Sequence, residues 1–283
     1  MPYVKTRDDV DLYVKDWGAG PPVVLIHGWP LNADAWESQA LGLAEAGFRV
    51  IAYDRRGFGR SSQPWSGYDY DTLSDDLAQV LDATGASDAA LIGFSMGGGE
   101  VARYMSRHRG RGVRAAGLIA SVVPYLLKDE SNPDGIDASV FDDQMKHPIR
   151  EDRPTFFAQF AKLFYGVGYV TSPVGEAVLH HFGLMAAQGG IKGVLDCVDA
   201  FGKTDFRPDL AAFDVPTLIV HGTSDQTVPI DISARAAARA IKNAQLIEYE
   251  DEPHGLNVTA KARLTQDLIA FLRGVDGNAP SPA

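Results

Sequence analysis

The 283-residue chain is acidic, with 37 Asp and Glu against 26 Lys and Arg and a formal net charge of −11. This charge disfavours nucleic acid and anionic membrane surfaces as partners, because both would repel the chain. Hydrophobic residues make up 45% of the sequence and charged residues 22%, which is typical of a globular protein with a substantial core. The composition excludes two classes of partner and identifies no substrate.

Cys197 is the only cysteine, so no disulfide can form within the chain, and this suits a reducing cytoplasm. The first 15 residues carry charges throughout and lack the apolar segment of a signal peptide. No apolar run reaches the length that a membrane-spanning helix needs. We therefore expect a cytoplasmic protein without membrane contact.

Residues 3–16 alternate in polarity and predict an antiparallel hairpin that turns near Asp8 and Asp9. Further strands are predicted from runs that are apolar throughout, as in parallel strands covered on both faces. These runs are 23–27, 50–53, 89–92, 116–121, 217–221 and 246–249. Helical segments are predicted between and after them, at 74–84, 98–108, 231–241 and 259–272. The alternation predicts an α/β fold with a mostly parallel central sheet flanked by helices.

The pattern changes between about residues 124 and 208, where helix-like segments are separated by Pro and Gly and no strand is evident. We interpret this stretch as a helical cap insertion that is well placed to form a lid. The predicted division is a core domain at 1–123 and 209–273, the insertion at 124–208 and a disordered Gly/Pro/Ser-rich tail at 274–283.

Gly93-Phe94-Ser95-Met96-Gly97 has the G-x-S-x-G pattern and stands between a predicted strand and a predicted helix. In that context the serine occupies a sharp turn that exposes its hydroxyl, and the helix N-terminus favours negative charge developing beside it. A phosphate-binding loop is the competing interpretation, but no Lys-Ser/Thr pair follows the glycines. The pattern predicts Ser95 as a catalytic nucleophile.

A serine nucleophile needs a general base, and seven histidines are candidates. His254 follows the last predicted strand and precedes the C-terminal helix, which makes it the predicted base. His27 and His221 end strands and are predicted to be structural, while His108 closes a helix, where a cation is favourable. The others lie in the insertion without an evident partner: His147, His180 and His181. The adjacent pair lacks metal-ligand spacing, so no metal site is predicted.

The acid that orients the base should be a loop carboxylate at the end of a strand. Asp225 in HGTSDQTVP meets this condition directly. Asp54 in AYDRRGFG also ends a strand and is the alternative, although Arg55 and Arg56 beside it indicate a salt bridge or a turn. Asp231 is better placed at the start of a helix. The resulting chain order is Ser, Asp, His.

With these residues assigned, the chain resembles the α/β-hydrolase superfamily over nearly its full length. Three segments carry the resemblance, namely HGWP, DRRGFGRSS and GFSMGG. Two longer segments, GFSMGGGEVARYMSRH and HGWPLNADAWESQ, resemble specifically the cofactor-free, non-haem haloperoxidase and aryl-esterase branch. The resemblance implies a Ser-His-Asp esterase under a helical cap, with a side activity that makes peracids from hydrogen peroxide and short carboxylic acids. It implies no haem, vanadium or other metal, and many members of the branch are oligomers.

The mechanism also needs two backbone N–H donors for an oxyanion hole. Met96, directly after the nucleophile, is predicted to supply one, and the resemblance assigns the other to Trp29. Candidate pocket residues are Pro30, Phe157, Phe160, Phe164 and Val228. The rings at 156, 160 and 164 follow helical spacing, which equally fits a buried seam between cap and core. The sequence shows no basic cluster near the predicted site that would bind an anionic substrate. Small uncharged esters are therefore expected.

Several functions stay open on the sequence alone. A lactonase, an amidase or a carbon–carbon bond hydrolase would use the same triad. A non-catalytic protein of this fold, acting as a ligand receptor, would leave the triad unused. Haloalkane dehalogenases and many epoxide hydrolases use an aspartate where this chain has Ser95. Pro30 carries a separate hypothesis: by fixing the backbone beside Trp29, it would favour hydrogen peroxide over water as the second substrate.

Overall fold

The computed structural model describes residues 2–170, 174–275 and 277. Eight strands form one sheet: β1 Tyr3–Lys5, β2 Asp11–Trp17, β3 Pro22–Ile26, β4 Arg49–Tyr53, β5 Ala89–Phe94, β6 Val113–Ile119, β7 Thr217–Gly222 and β8 Ala244–Tyr249. Their spatial order is β1-β2-β4-β3-β5-β6-β7-β8, and every pair from β4 to β8 is parallel. Each of the six apolar runs predicted as a strand overlaps one of these strands, although the predicted ends at His27 and Ser121 lie beyond β3 and β6.

The N-terminal hairpin is also confirmed, with Tyr3 opposite Tyr13 and Lys5 opposite Asp11. Strand β2 continues it by pairing antiparallel with β4, which makes the two N-terminal strands the antiparallel edge of the sheet. All residues of β5 and β7 are buried, so the centre of the sheet is covered on both faces. The predicted fold class is confirmed.

Helices outside the segment between β6 and β7 are α1 Glu37–Glu45, α2 Tyr70–Thr84, α3 Met96–Arg107, α8 Ala234–Ala240, α9 Leu256–Thr259 and α10 Lys261–Val275. α1 packs on α10 and α2 packs on α3. No predicted segment corresponded to α1. The predicted start of α8 at Asp231 is wrong, because residues 231–233 form a turn. α2 begins four residues before its predicted start, where the Asp69 side chain accepts from the Thr72 N–H.

The segment between β6 and β7 is helical, as predicted. It contains α4 Ala138–Phe141, α5 His147–Phe164, α6 Glu176–Ala187 and α7 Ile191–Lys203, with one π-helical turn at Asp142–Lys146. A single parallel bridge, Leu127 with Ile136, is its only parallel β contact among the described residues. α10 runs two residues into the predicted tail, and positions 276 and 278–283 of that tail lie outside the described residues.

Parallel strands place their carboxyl ends along one edge of the sheet, and this edge positions the loops that carry the predicted site. Ser95 follows β5, Asp225 follows β7 and His254 follows β8. Within the described ranges, no helix is long and apolar enough to cross a membrane.

Candidate active site

Ser95 stands at a sharp turn between β5 and α3, with φ 54° and ψ −119°, a conformation that a residue with a side chain rarely adopts. Gly93 and Gly97 make this turn possible. A Cβ on Gly93 would lie 2.4 Å from the Gly97 carbonyl oxygen, and one on Gly97 would lie 2.5 Å from the Ile26 carbonyl oxygen. The two glycines of the G-x-S-x-G pattern are therefore required by close backbone contacts.

Three predicted side chains are joined by hydrogen bonds in this structure. Ser95 Oγ lies 2.9 Å from His254 Nε2, and His254 Nδ1 lies 2.7 Å from Asp225 Oδ2. Because an ionised carboxylate can only accept, Nδ1 carries the proton and Nε2 is free to accept from the serine hydroxyl. This chain of contacts has the geometry for removing a proton from Ser95. All three residues are buried.

Asp225 is held by four donors. Its Oδ1 accepts from the backbone N–H groups of Thr227 and Val228, both at 2.8 Å. Its Oδ2 faces the imidazoles of His254 and His221. Burial alone would raise the pKa of this carboxyl, but the charge on His254 and the hydrogen bonds from both histidines hold the pKa below its usual range. Asp225 is therefore ionised wherever the enzyme is folded near neutral pH.

The two predicted oxyanion donors are Met96, directly after the nucleophile, and Trp29, which lines the same cavity. Met96 is the first residue of α3, so its N–H has no acceptor within the helix. Trp29 lines the cavity beside Ser95, and its indole Nε1 donates to the Val194 carbonyl at 3.0 Å, which fixes the ring to α7. The Trp29–Pro30 peptide is cis, within a turn in which Leu31 N donates to Gly28 O. The donor role of both residues remains a prediction.

A buried ion pair lies beneath this loop. The Arg55 guanidinium pairs with Glu100 of α3 and donates to the His27 carbonyl at 2.6 Å, while Tyr53 donates to the same carboxylate. The side chains of Arg55 and Glu100 are 1% and 0% exposed. Burial lowers the pKa of His27, and nearby Arg55 lowers it further, so its imidazole is neutral and accepts from Arg55 N at 2.9 Å. His27 holds loop backbone, as the sequence predicted.

Asp54 belongs to a different network and is not the acid of the site. Its carboxylate accepts from the Ala33 N–H and from the backbone and guanidinium of Arg60. The partners expected from the sequence were the adjacent arginines, and that expectation is wrong. Arg55 turns inward to Glu100, and Arg56 pairs with Asp76 and Asp8.

A cavity of about 450 Å³ opens onto Ser95 and His254. Most of its wall is apolar and comes from the segment between β6 and β7, including Phe141, Phe156 and Phe160. Its charged lining residues are Glu151 and Asp152, and no Lys or Arg lines it in the described part of the chain. Such a wall suits an uncharged, largely apolar substrate.

Two of the predicted pocket residues, Phe160 and Val228, line this cavity. The other three, Pro30, Phe157 and Phe164, do not line it. Phe157 is buried behind Trp29, with ring centroids 5.6 Å apart, and Phe164 packs edge-on against His254 at 4.8 Å. Pro30 is buried and does not reach the wall. Helical spacing identified the aromatic stripe but not which of its rings faces the cavity.

Sequence reasoning missed several apolar wall residues, among them Leu126, Ile136, Val140 and Met145. They stand in irregular chain and short helices, where no motif marks them. Among residues 2–170, 174–275 and 277, no three His, Cys, Asp or Glu side chains are grouped so that they could hold a metal ion.

The family model for the alpha/beta hydrolase fold matches residues 21–260, which include every residue of the predicted triad. The chain belongs to the α/β-hydrolase fold family. Within this family it belongs to the non-haem haloperoxidase branch. It is 44% identical over 274 residues to the non-heme chloroperoxidase CPO-A1 of Kitasatospora aureofaciens, covering 96% of this chain and 99% of that protein.

Two further α/β-hydrolase relatives extend the comparison. The bifunctional esterase/perhydrolase DCH of Acinetobacter calcoaceticus is 42% identical over 276 residues, covering 96% of this chain and all of that protein. The crystal structure of a bromoperoxidase from Bacillus anthracis superposes with a TM-score of 0.92 at 44% identity, covering 96% of this chain and 99% of that one. The resemblance inferred from the sequence motifs is confirmed.

Proposed function

We propose that this α/β-hydrolase is a serine esterase for small uncharged carboxylic esters, and that it also forms peracids from hydrogen peroxide. The observation that carries the proposal is the hydrogen-bonded chain Ser95–His254–Asp225 at an apolar cavity. The names of two relatives agree with it, since one is a chloroperoxidase and another an esterase/perhydrolase.

The proposed mechanism begins when Ser95 Oγ attacks the ester carbonyl while His254 takes its proton. The N–H groups of Met96 and Trp29 stabilise the oxyanion, and Asp225 stabilises the imidazolium. His254 then protonates the departing alcohol and leaves an acyl group on Ser95. In the second half, His254 takes a proton from water, whose oxygen attacks the acyl-enzyme, and then returns a proton to Ser95 Oγ as the acid is released. Hydrogen peroxide attacks in the same way and releases the peracid. A carboxylic acid forms the same acyl-enzyme with water as the leaving group.

In this proposal residues 124–208 act as the cap that shapes the acyl and alcohol sites. Support comes from the cavity, whose wall is largely built from this segment. Excluding water there strengthens the electrostatic contacts at the reacting carbonyl. No lining residue in the described chain is cationic, so an anionic ester gains no ion pair.

A substrate panel tests the proposal. We expect aryl acetates to be hydrolysed with a higher kcat/KM than lactones or anilides. We also expect peracid to form from acetate and hydrogen peroxide. Ser95→Ala should reduce both activities by about 10⁶-fold in kcat, since they share the acyl-enzyme. Ser38→Ala, an exposed serine on α1, is the matched control. Retention of either activity in Ser95→Ala would contradict the proposal. If the wild type cleaved lactones or anilides with a higher kcat/KM than aryl acetates, lactones or amides would replace esters as the proposed substrate class.

A further inference from the structure

His221 lies one residue before the end of β7 and is fully buried. Its Nε2 lies 3.0 Å from Asp225 Oδ2 and 2.9 Å from the Val228 carbonyl oxygen. The same Oδ2 receives His254 Nδ1 at 2.7 Å. Two imidazoles thus converge on one carboxylate oxygen, although the mechanism above uses only one of them.

The contacts determine which tautomer His221 adopts. Both neighbours of Nε2 are acceptors, so this nitrogen must carry a hydrogen. Nδ1 is buried and has no hydrogen-bond partner among the residues that the structure describes. A proton on Nδ1 would bury an N–H group without an acceptor, which is costly. His221 is therefore a neutral imidazole that donates through Nε2.

We propose that His221 is a positioning residue that acts through Asp225, and this inference rests on the proposed Ser-His-Asp mechanism. Its Nε2–H is shared between the Val228 carbonyl oxygen and Asp225 Oδ2. This contact fixes the orientation of the carboxylate that aligns His254. The same N–H withdraws negative charge from Oδ2. His221 thereby limits how strongly Asp225 stabilises the imidazolium form of His254.

The electrostatic effect follows from the donor inventory of Asp225. Two backbone N–H groups occupy Oδ1 and two imidazoles occupy Oδ2. Without the His221 donor, Oδ2 would interact with His254 alone and would hold its imidazolium more tightly. His254 would then lose its proton, and so become the neutral base that accepts the Ser95 proton, only at higher pH. Activity should consequently start at higher pH when this donor is removed.

Two further titratable groups near this pair, Tyr169 and Glu248, keep the same state across the range of the test. Tyr169 follows the end of α5, and burial, together with the charge of Asp225, raises its pKa to about 12. On β8, Glu248 pairs in register with His221, and its carboxylate is held in an ion pair with Arg235 of α8 at 2.6 Å. A shift in the pH profile therefore reports on the His221 contact.

The matched variants are His221→Leu and His221→Gln. The Gln amide nitrogen stands as many bonds from Cα as the imidazole Nε2, so it keeps a donor near Asp225, whereas Leu fills the same buried space without one. The readout is kcat/KM for an aryl acetate from pH 5 to 9. We expect the acid limb of His221→Leu to move up by about half a pH unit or more, and that of His221→Gln to stay near wild type.

Two outcomes would overturn the inference: an unmoved acid limb in His221→Leu, or equal shifts in both variants. Labelling of wild-type Ser95 by a fluorophosphonate separates this failure from failure of the proposed function, because an unlabelled and inactive wild type would refute the mechanism itself. If circular dichroism shows His221→Leu to be unfolded, ¹⁵N NMR of wild-type His221 decides. The inference requires the neutral Nε2–H tautomer, and a Nδ1–H or doubly protonated ring would refute it.

Discussion

The two sides of the cavity are built in different ways. On the core side, polar and backbone contacts fix the orientation of the predicted catalytic side chains. Ser95 is fixed by its strained turn, and Asp225 by four donors. On the cap side, most of the wall consists of apolar side chains, which touch through van der Waals and ring contacts. Phe156 and Phe160, for example, stack with their centroids 5.7 Å apart.

The difference follows from what each side must do. Acyl transfer requires hydroxyl, imidazole and N–H groups at defined distances and angles, so the core side depends on residues that cannot be exchanged. Binding an apolar group requires only surface of suitable shape, which many side chains provide. We therefore expect substitutions on the core side to reduce turnover of every substrate. Substitutions on the cap side should change the ranking of substrates.

Asp225→Asn tests the core side with the largest expected effect. An Asn amide can donate to His254 Nδ1, which would place the remaining proton on Nε2, facing Ser95. We expect kcat to fall by about 10⁴-fold for all esters. Asp231→Asn, an exposed carboxylate paired with Arg235, is the control. A loss that varied widely between esters would argue against the division of roles.

Glu100→Gln extends the core side to its buried support. The substitution leaves the Arg55 guanidinium buried without its anionic partner, and this should lower the free energy of unfolding by about 3–5 kcal/mol. Because Arg55 also holds the His27 carbonyl, kcat should fall for all esters. Urea denaturation measures the first effect. Asp82→Asn breaks an exposed pair with Arg111 and should cost about 0.5 kcal/mol or less. Equal losses of unfolding free energy in Glu100→Gln and Asp82→Asn would contradict the account.

Phe160→Ala probes the cap side. Removing a ring from the cavity wall should change kcat/KM by about 10-fold for some acyl groups and much less for others, since lost apolar contact is worth 1–3 kcal/mol. Competition between acetate, butyrate and hexanoate aryl esters measures this. Phe182→Leu, which alters a ring packed behind the wall, should lower the melting temperature while keeping the ranking. A uniform loss across the series in Phe160→Ala would place this ring among the groups that turnover requires.

Pro30→Leu has the smallest expected effect and addresses the choice between water and hydrogen peroxide. Pro30 stands behind the wall and next to Trp29, so it acts on the backbone beside the reacting carbonyl. We expect the ratio of perhydrolysis to hydrolysis to fall about threefold or more while ester hydrolysis is largely kept. Parallel assays of peracid and acid from one ester measure the ratio. An unchanged ratio would make Pro30 an ordinary turn residue.

The sequence predicted the core side well because its signals are local. Apolar runs located the strands, and loops at strand ends located Ser95, Asp225 and His254. Those positions follow from backbone geometry, since a parallel sheet brings the ends of its strands together. The start of α8 was misplaced, because Asp231 resembles a helix cap although the chain first makes a turn there.

The cap side was predicted in kind but not in detail. Helical spacing identified a stripe that includes Phe160 and Phe164, yet one ring faces the cavity and the other packs on His254. That distinction depends on how α5 rests on the core, which spacing within one helix does not specify. The pairing of Arg55 with Glu100 joins residues 45 positions apart, and no local pattern marks it. His221 was interpreted as structural because its contact with Asp225 appears only in three dimensions.

Covalent labelling tests the central claim most directly, namely that Ser95 is a nucleophile activated by His254 and Asp225. Wild-type protein, Ser95→Ala and Asp225→Asn would be treated with a fluorophosphonate and analysed by intact-mass and peptide mass spectrometry. We predict one adduct on Ser95 in the wild type, much slower labelling in Asp225→Asn and none in Ser95→Ala. An unmodified wild type, or an adduct on any other residue, would contradict the account.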